Sequence, residues 1–389
     1  MNNEIITKGW KKIKLKEVLT EISERNKGER VTIVLSVTNS KGFVNQEEYF
    51  EGTIHSTDIS KYKIIRKNQF AYNPSRVNVG SIDILQDYEE GVLSPMYVVF
   101  EVDTTKLLPE YFKYYFQTNR FYENVKNNTQ GSVRYSLSFK ALADFWYLLP
   151  PIKEQEKIVG ILKTIDSIIE KYESLLEEKN QFIKSQFVEM FGNPISNDKN
   201  WNIDIMNNVA PSQNYKGSFD EDKVWLLNLD MIESNTGNII DYIYEDINNI
   251  GTSTCTFNEE NVLYSKLRPY LNKVVIPNKS GFATSELVPL KPKKDLLNRY
   301  FLTYLLRSDE FVQYISEKVA GTKMPRVSME LFRKFEVMLP PLELQQKFEM
   351  IVEQIDKQKF LLDRQKQNYQ KLKKGLMQQL LTGKIRVKI

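Results

Sequence analysis

The chain has 389 residues, 41% hydrophobic and 27% charged, with 54 basic against 50 acidic side chains. That length suits two or three domains with cores of their own, and no apolar run approaches the roughly 20 residues that cross a bilayer. One cysteine, Cys255, and one histidine, His55, exclude an internal disulfide and most histidine chemistry; with an N-terminus lacking the apolar stretch of a signal peptide, they predict a cytoplasmic protein.

In chain order, residues 1–150 mix short β-rich runs (31–37 and 96–102) with turn signals such as Asn39-Ser40-Lys41-Gly42 and a Tyr/Phe-rich helix at about 109–125. After Pro150-Pro151 the apolar residues Ile158, Ile161, Leu162, Ile165, Ile168, Ile169, Tyr172, Leu175 and Leu176 follow a heptad seam, continued by Phe182 and Ile183. This predicts one long helix over 151–195, ended by Gly192-Asn193-Pro194. Residues 196–340 return to the mixed pattern, with a β-run at 273–276, the turn Asn278-Lys279-Ser280-Gly281 and an aromatic helix at about 296–318. A second Pro-Pro, 340–341, opens a second long helix over 341–389 with Phe348, Ile351, Val352, Ile355, Leu362, Tyr369, Leu372 and Leu376 on its stripe.

The two halves are copies. Residues 149–166 align without gaps on 339–356, and Gly131, Ser138 and Phe145 keep one offset to Gly321, Ser328 and Phe335. The segments at 107–116 and 296–306, Gly91 with Gly281, and Trp10 with Trp201 extend the match at a period near 190 residues. Each long helix, at about 35 residues, would span roughly 50 Å and needs a partner for its single apolar stripe. Two helices packed separately on their own domains would overhang them. The expected fold is therefore α+β: two similar domains, 1–150 and 196–340, separated by a long antiparallel two-helix coiled coil with an internal pseudo-two-fold. Strand order is not predicted.

Catalytic equipment is missing. No two of the 16 glycines are separated by a single residue, which excludes the Rossmann fingerprint and the glycine-rich cofactor loop of methyltransferases, and no phosphate loop of the GxxxxGK[ST] type occurs. His55 and Cys255 stand in different repeats and cannot make a zinc site alone. No cofactor or metal is expected. Two similar heads on a spacer point to a bivalent binder. A 50 Å spacing corresponds to roughly 15 base pairs of duplex, with half-sites met in inverted orientation.

The whole chain, over residues 9–387, resembles the specificity subunit of type I restriction-modification systems. The resemblance rests on Leu149-Pro150-Pro151-Ile152-Lys153-Glu154-Gln155-Glu156, on Leu339-Pro340-Pro341-Leu342-Glu343-Leu344-Gln345-Gln346, and on the ending at 380–387. It implies two target recognition domains, each reading one half of a bipartite asymmetric sequence in double-stranded DNA. It also implies assembly with two modification (adenine methyltransferase) subunits and two ATP-dependent restriction subunits, which carry the catalysis. A related non-type-I modification complex shares this architecture, and a coiled-coil scaffold with two protein-binding domains is the rival from another class.

Base readout favours arginine, asparagine, glutamine and lysine on loops, with phosphate contacts from lysine, serine, threonine and backbone amides. Equivalent loops of the two repeats supply Arg76 and Asn78 against Lys266, Arg268 and Tyr270, and Arg134 and Tyr135 against Lys323 and Arg326. Arg66, Arg120, Arg299 and Arg307 fall in framework stretches and read as surface charges. The helix exteriors carry Glu154, Glu156, Glu170 and Glu173 in one copy and Lys357, Lys359, Lys373 and Lys374 in the other, a possible partner surface. Basic residues exceed acidic ones by six in 341–389, enough to neutralise phosphates of an unread spacer.

Overall fold

The computed structural model describes residues 9–49, 56–129, 136–219, 221–319 and 324–388. The chain divides into two compact units, one of residues 1–171 with 365–389 and one of residues 172–364. Sequence boundaries at 150, 195 and 340 follow the change from mixed to helical pattern. The units instead divide both long helices near their middles, because each half-helix packs on a different core.

In the first unit, strand Lys11–Lys14 pairs antiparallel with Trp146–Leu149. A four-stranded antiparallel sheet runs Leu19–Ile22, Val98–Val102, Phe70–Tyr72, Ile82–Ile84, and Leu35–Thr38 forms a hairpin with Gly42–Asn45. The second unit repeats the plan. Asn202–Ile205 pairs with Glu336–Leu339, and Val262–Ser265 lies between Val274–Val275 and Leu287–Leu290. Lys63–Arg66 with Glu90–Leu93 corresponds to Thr254–Phe257 with Gly281–Thr284. A parallel bridge from Val34 to Val92 corresponds to the parallel pairing of Lys223–Leu227 with Gly281–Thr284. Gly91 and Gly281 sit at this crossing. A Cβ on Gly281 would stand 2.7 Å from the Trp225 carbonyl oxygen, and one on Gly91 would overlap Leu35, so the close approach of strands requires glycine.

The repeated sequence positions hold equivalent bonds. Leu15 donates its N–H to Phe145 O at 3.0 Å and Met206 donates to Phe335 O at 2.8 Å, with both phenylalanines buried. Each aromatic helix predicted as one piece is two. Pro109–Tyr115 and Asn119–Thr129 break at Thr118, and Arg299–Arg307 and Asp309–Glu317 break at Ser308, whose hydroxyl caps the Phe311 N–H at 3.2 Å.

The long helices run Ile152–Phe191 and Leu342–Leu380, 40 and 39 residues. Pro151 O accepts the N–H groups of Glu154 and Gln155, and Pro341 O those of Leu344 and Gln345, so the second proline of each pair starts the helix. Gly192, at φ +78°, ends the first helix with its N–H on Val188 O. Gln155 and Gln345 are fully buried and make the same three bonds. Gln155 accepts from Leu108 N–H (2.8 Å) and donates to Lys106 O and Pro150 O (both 2.8 Å). Gln345 accepts from Asn298 N–H (2.8 Å) and donates to Leu296 O (3.0 Å) and Pro340 O (2.8 Å). Each glutamine thus locks its helix start to the loop before the aromatic helices.

Within each unit the two half-helices run antiparallel. In the first, Ile158 and Leu162 share a core with Met377 and Leu380, and Lys373 meets Asp166 at 2.6 Å. In the second, Phe187 and Phe191 pack on Phe348 at ring separations of 5.6 and 5.4 Å. Burial is complete only where a globular body supports the helices. Ile168, Ile169 and Leu176 are half-buried, and Phe360 and Leu361 stand exposed.

Two charge expectations are corrected. Glu154 is not on the helix exterior; it is fully buried, where it accepts from Trp10 Nε1 (2.9 Å) and Arg386 Nε (2.6 Å). Its equivalent in the second repeat is Leu344, a half-buried residue packed against the core of the second unit. Arg307 is not a free surface charge either, since it donates from Nε to Val274 O at 3.1 Å and stacks on Tyr304. Cys255 is buried in strand Thr254–Phe257 with its sulfur on Leu287 O at 3.2 Å, and burial pushes its thiol up to about 11. His55 lies outside the described residues. Among the described residues no helix is long and apolar enough to cross a membrane.

Candidate nucleic-acid interface

The strand Phe70–Tyr72 is buried between two neighbours, and the chain leaves it at Asn73. The Asn73 side chain accepts from Ser75 N–H at 3.0 Å and its carbonyl from Arg76 N–H at 3.0 Å, which turns the backbone. Arg76 then opens a 3₁₀ turn, Val77–Val79, closed by Gly80 at φ +93° with its N–H on Val77 O (3.1 Å). Buried Val77 anchors the turn and leaves Arg76 and Asn78 exposed. Neither side chain has an ion-pair or hydrogen-bond partner among the described residues.

The second unit builds the same device. Strand Val262–Ser265 leads to Arg268, which opens the 3₁₀ turn Pro269–Leu271, and Asn272 closes it with its N–H on Pro269 O at 2.9 Å. Buried Pro269 is the anchor and Tyr270, 53% exposed, projects from the turn. Arg268 itself adopts φ +50°, ψ 66°, a left-handed conformation that costs a non-glycine residue on the order of 1 kcal/mol or more. Its Nε is shut from solvent without an acceptor. A strained, undersatisfied cation at the mouth of a turn is the kind of outlier that points to a ligand contact.

A second loop flanks each turn in the same register. Leu137 N–H donates to Pro74 O at 3.1 Å, and Val327 N–H donates to Lys266 O at 2.9 Å. Arg268 N–H also donates to Pro325 O at 2.8 Å, and Leu267 bridges Arg326. Lys266, Arg268 and Arg326 are thereby brought together. Arg326 is already engaged, however: it makes a forked pair with Glu286, from Nε at 3.1 Å and from its terminal nitrogen at 2.9 Å to Oε1. Sequence separation hides this partner, which comes from the neighbouring strand end. Arg134, Tyr135 and Lys323 lie outside the described residues. Among the described residues no group of three or more His, Cys, Asp or Glu side chains could hold a metal ion.

Chemically, exposed Arg, Asn and Tyr on turns braced by backbone bonds can offer bidentate donors and a stacking face while the scaffold stays still.

Comparison with known proteins bears on the family and the fold. The model of the type I restriction modification DNA specificity domain matches the chain twice, over residues 7–178 and 176–371. The putative type I restriction enzyme MjaX specificity subunit of Methanocaldococcus jannaschii is 24% identical over 424 residues, covering 98% of this chain and 95% of that protein. The MjaVIII specificity subunit of the same organism is 24% identical over 327 residues, 77% of this chain and 76% of its own length. The type I restriction-modification S subunit from M. genitalium shares the fold, with a TM-score of 0.52 at 13% identity over 98% of each chain. With two matched domains spanning nearly its full length, the chain belongs to the type I restriction-modification DNA specificity family.

Proposed function

We propose that the chain is the sequence-recognition subunit of a type I restriction-modification complex, non-catalytic in itself. Each globular body reads one half of a bipartite, asymmetric site in duplex DNA. Two adenine-methylating modification subunits and two ATP-dependent restriction subunits supply the chemistry, in the cytoplasm. The domain boundaries follow the repeat: recognition domains at 1–150 and 196–340, spacer helices at 151–195 and 341–389.

One observation carries the reading. The same strand, arginine-opened 3₁₀ turn and flanking loop occur in both units, yet the side chains they display differ: Arg76 and Asn78 in one, Lys266, Arg268 and Tyr270 in the other. A constant frame with changed contact residues suits two different half-sites. Arg134, Tyr135 and Lys323 are proposed to join these contacts. Arg326, held by Glu286, serves chiefly to brace the Lys266–Arg268 segment.

Coexpression with a modification subunit, followed by sequencing of modified genomic DNA, should show adenine methylation in a single bipartite motif. The absence of any new motif with a competent partner would overturn the function. Arg268→Ala should relax one half-site by about 1–3 kcal/mol of discrimination and leave the other intact; equal loss in both halves would contradict the assignment of one domain to one half-site.

A further inference from the structure

A second turn stands beside each arginine-opened turn, and sequence comparison of the repeats does not align it. In the first unit it is residues 39–41, the tip of the hairpin between Leu35–Thr38 and Gly42–Asn45. Ser81 Oγ donates to Val37 O at 2.7 Å, and a Cβ on Gly80 would lie 3.8 Å from Asn39 Cβ, so the tip abuts the Val77–Val79 turn. A cavity of about 410 Å³ opens between the two turns, lined by residues of both. In the second unit it is residues 234–236, at the end of a bridge between Ile232 and Ile239. Asn235 N–H donates to Leu271 O at 3.2 Å, the last residue of the Pro269–Leu271 turn.

The bracing is equivalent although the residues are not. Each tip closes on a left-handed glycine, Gly42 at φ +63° and Gly237 at φ +66°. Each is tied by the side chain of the residue before it. Thr38 Oγ1 accepts from Lys41 N–H (3.0 Å) and donates to Gly42 O (3.1 Å), while the Glu233 carboxylate accepts from Thr236 Oγ1 (2.5 Å) and Asn238 Nδ2 (2.9 Å). What the braces hold out is polar: Asn39, Ser40 and Lys41 in one unit and Asn235 in the other are exposed, with the Lys41 ammonium 5.3 Å from the centre of the Tyr49 ring. The side chains of Asn39, Ser40 and Asn235 have no partner among the described residues.

We propose that residues 39–41 and Asn235 are specificity-determining DNA contacts, forming with the adjacent arginine-opened turns a two-pronged reading head in each unit. The inference rests on the recognition function proposed above and adds to it a second reading element. Asparagine at a rigid, left-handed or glycine-closed tip presents the donor and acceptor pair that adenine edges match, and lysine suits guanine or phosphate. Fixing the tip through its own neighbours removes the ordering cost of that contact.

The test uses the full chain with its modification subunit and reads the methylated motif. The variants are Asn39→Ala/Lys41→Ala, Asn235→Ala and, for reference, Arg76→Ala and Arg268→Ala. The expected result is a motif degenerate at one or two positions, in one half for the 39/41 variant and in the other half for Asn235→Ala, with discrimination there down about 5- to 100-fold. Loss of all methylation with an unchanged melting temperature and lost sequence-selective gel shift also supports a reading role. The inference is overturned if both turn variants keep the parental motif and rate while the arginine variants alter theirs. It is equally overturned if methylation is lost together with a drop in melting temperature, which would make the turns part of the frame. A parental chain that specifies no motif would instead sink the recognition function itself.

Discussion

Replacing Arg386 by alanine is expected to destabilise the first unit by about 3 kcal/mol. The side chain reaches from the C-terminal segment to Glu154, with Nε at 2.6 Å from one carboxylate oxygen and a terminal nitrogen at 2.9 Å from the other. Glu154 is 0% exposed, while the Arg386 side chain is 37% exposed, so the loss falls at the low end of the range for breaking a buried pair. The cost is that of a carboxylate left in the interior with the Trp10 indole N–H and the Val387 backbone N–H but no balancing cation. Glu154→Leu in the same chain should recover most of it, because leucine is what the second repeat carries at Leu344 and it removes the stranded charge. Amide hydrogen exchange resolved between the two units measures both effects, and a double variant as unstable as Arg386→Ala would refute the account.

The pair also sets an acid limit. Burial alone would raise the Glu154 carboxyl, but bonds from Arg386 and Trp10 outweigh it and hold the group below its ordinary value of 4.5. A folded-state value below the unfolded one gives stability that is complete above the ordinary value and lost as pH falls through the folded value. The gap in first-unit protection between the parental chain and the Glu154→Leu/Arg386→Ala variant should therefore narrow as pH falls below about 4.5, with no change on the alkaline side.

Gln155→Leu and Gln345→Leu should each cost about 2–4 kcal/mol, the first in the first unit and the second in the second. Each removes one acceptor and two donors from a fully enclosed site and strands one N–H and two carbonyls. The sites share no residue, so the double variant should lose the sum. Gln155→Glu separates hydrogen bonding from shape. Its carboxylate keeps the Leu108 N–H but faces the Lys106 and Pro150 carbonyls, which favours the protonated form. Its folded-state value then lies above the unfolded one, and stability should fall as pH rises from 4 to 8. Denaturant unfolding at several pH values tests this, and a pH-independent loss would exclude the carbonyl-facing geometry.

The repeat, the two proline-started helices and the Gly192 stop were legible because they depend on local patterns: heptad spacing, a fixed offset and a residue that tolerates positive φ. The pairing of arginine-bearing loops was legible for the same reason, since Arg76 and Arg268 keep the offset of their strands. The burial of Glu154 is not legible in sequence, because its position on the helix is indistinguishable from that of its neighbours until Arg386, 232 residues away, folds onto it. Arg326 is a candidate DNA contact by its loop position, and its pairing with Glu286 is invisible in sequence because Glu286 meets it only across a strand end. The paired tips at 39–41 and 234–236 escaped alignment because their equivalence lies in what they touch, with Asn39 beside Gly80 and Asn235 on Leu271, and not in residue identity. Periodicity and composition act through neighbours along the chain and so specify helices, repeats and the absence of catalytic motifs. Which charges are buried, and which turns stand side by side, depends on contacts between residues far apart in sequence, whose energies exist only once the chain has closed on itself.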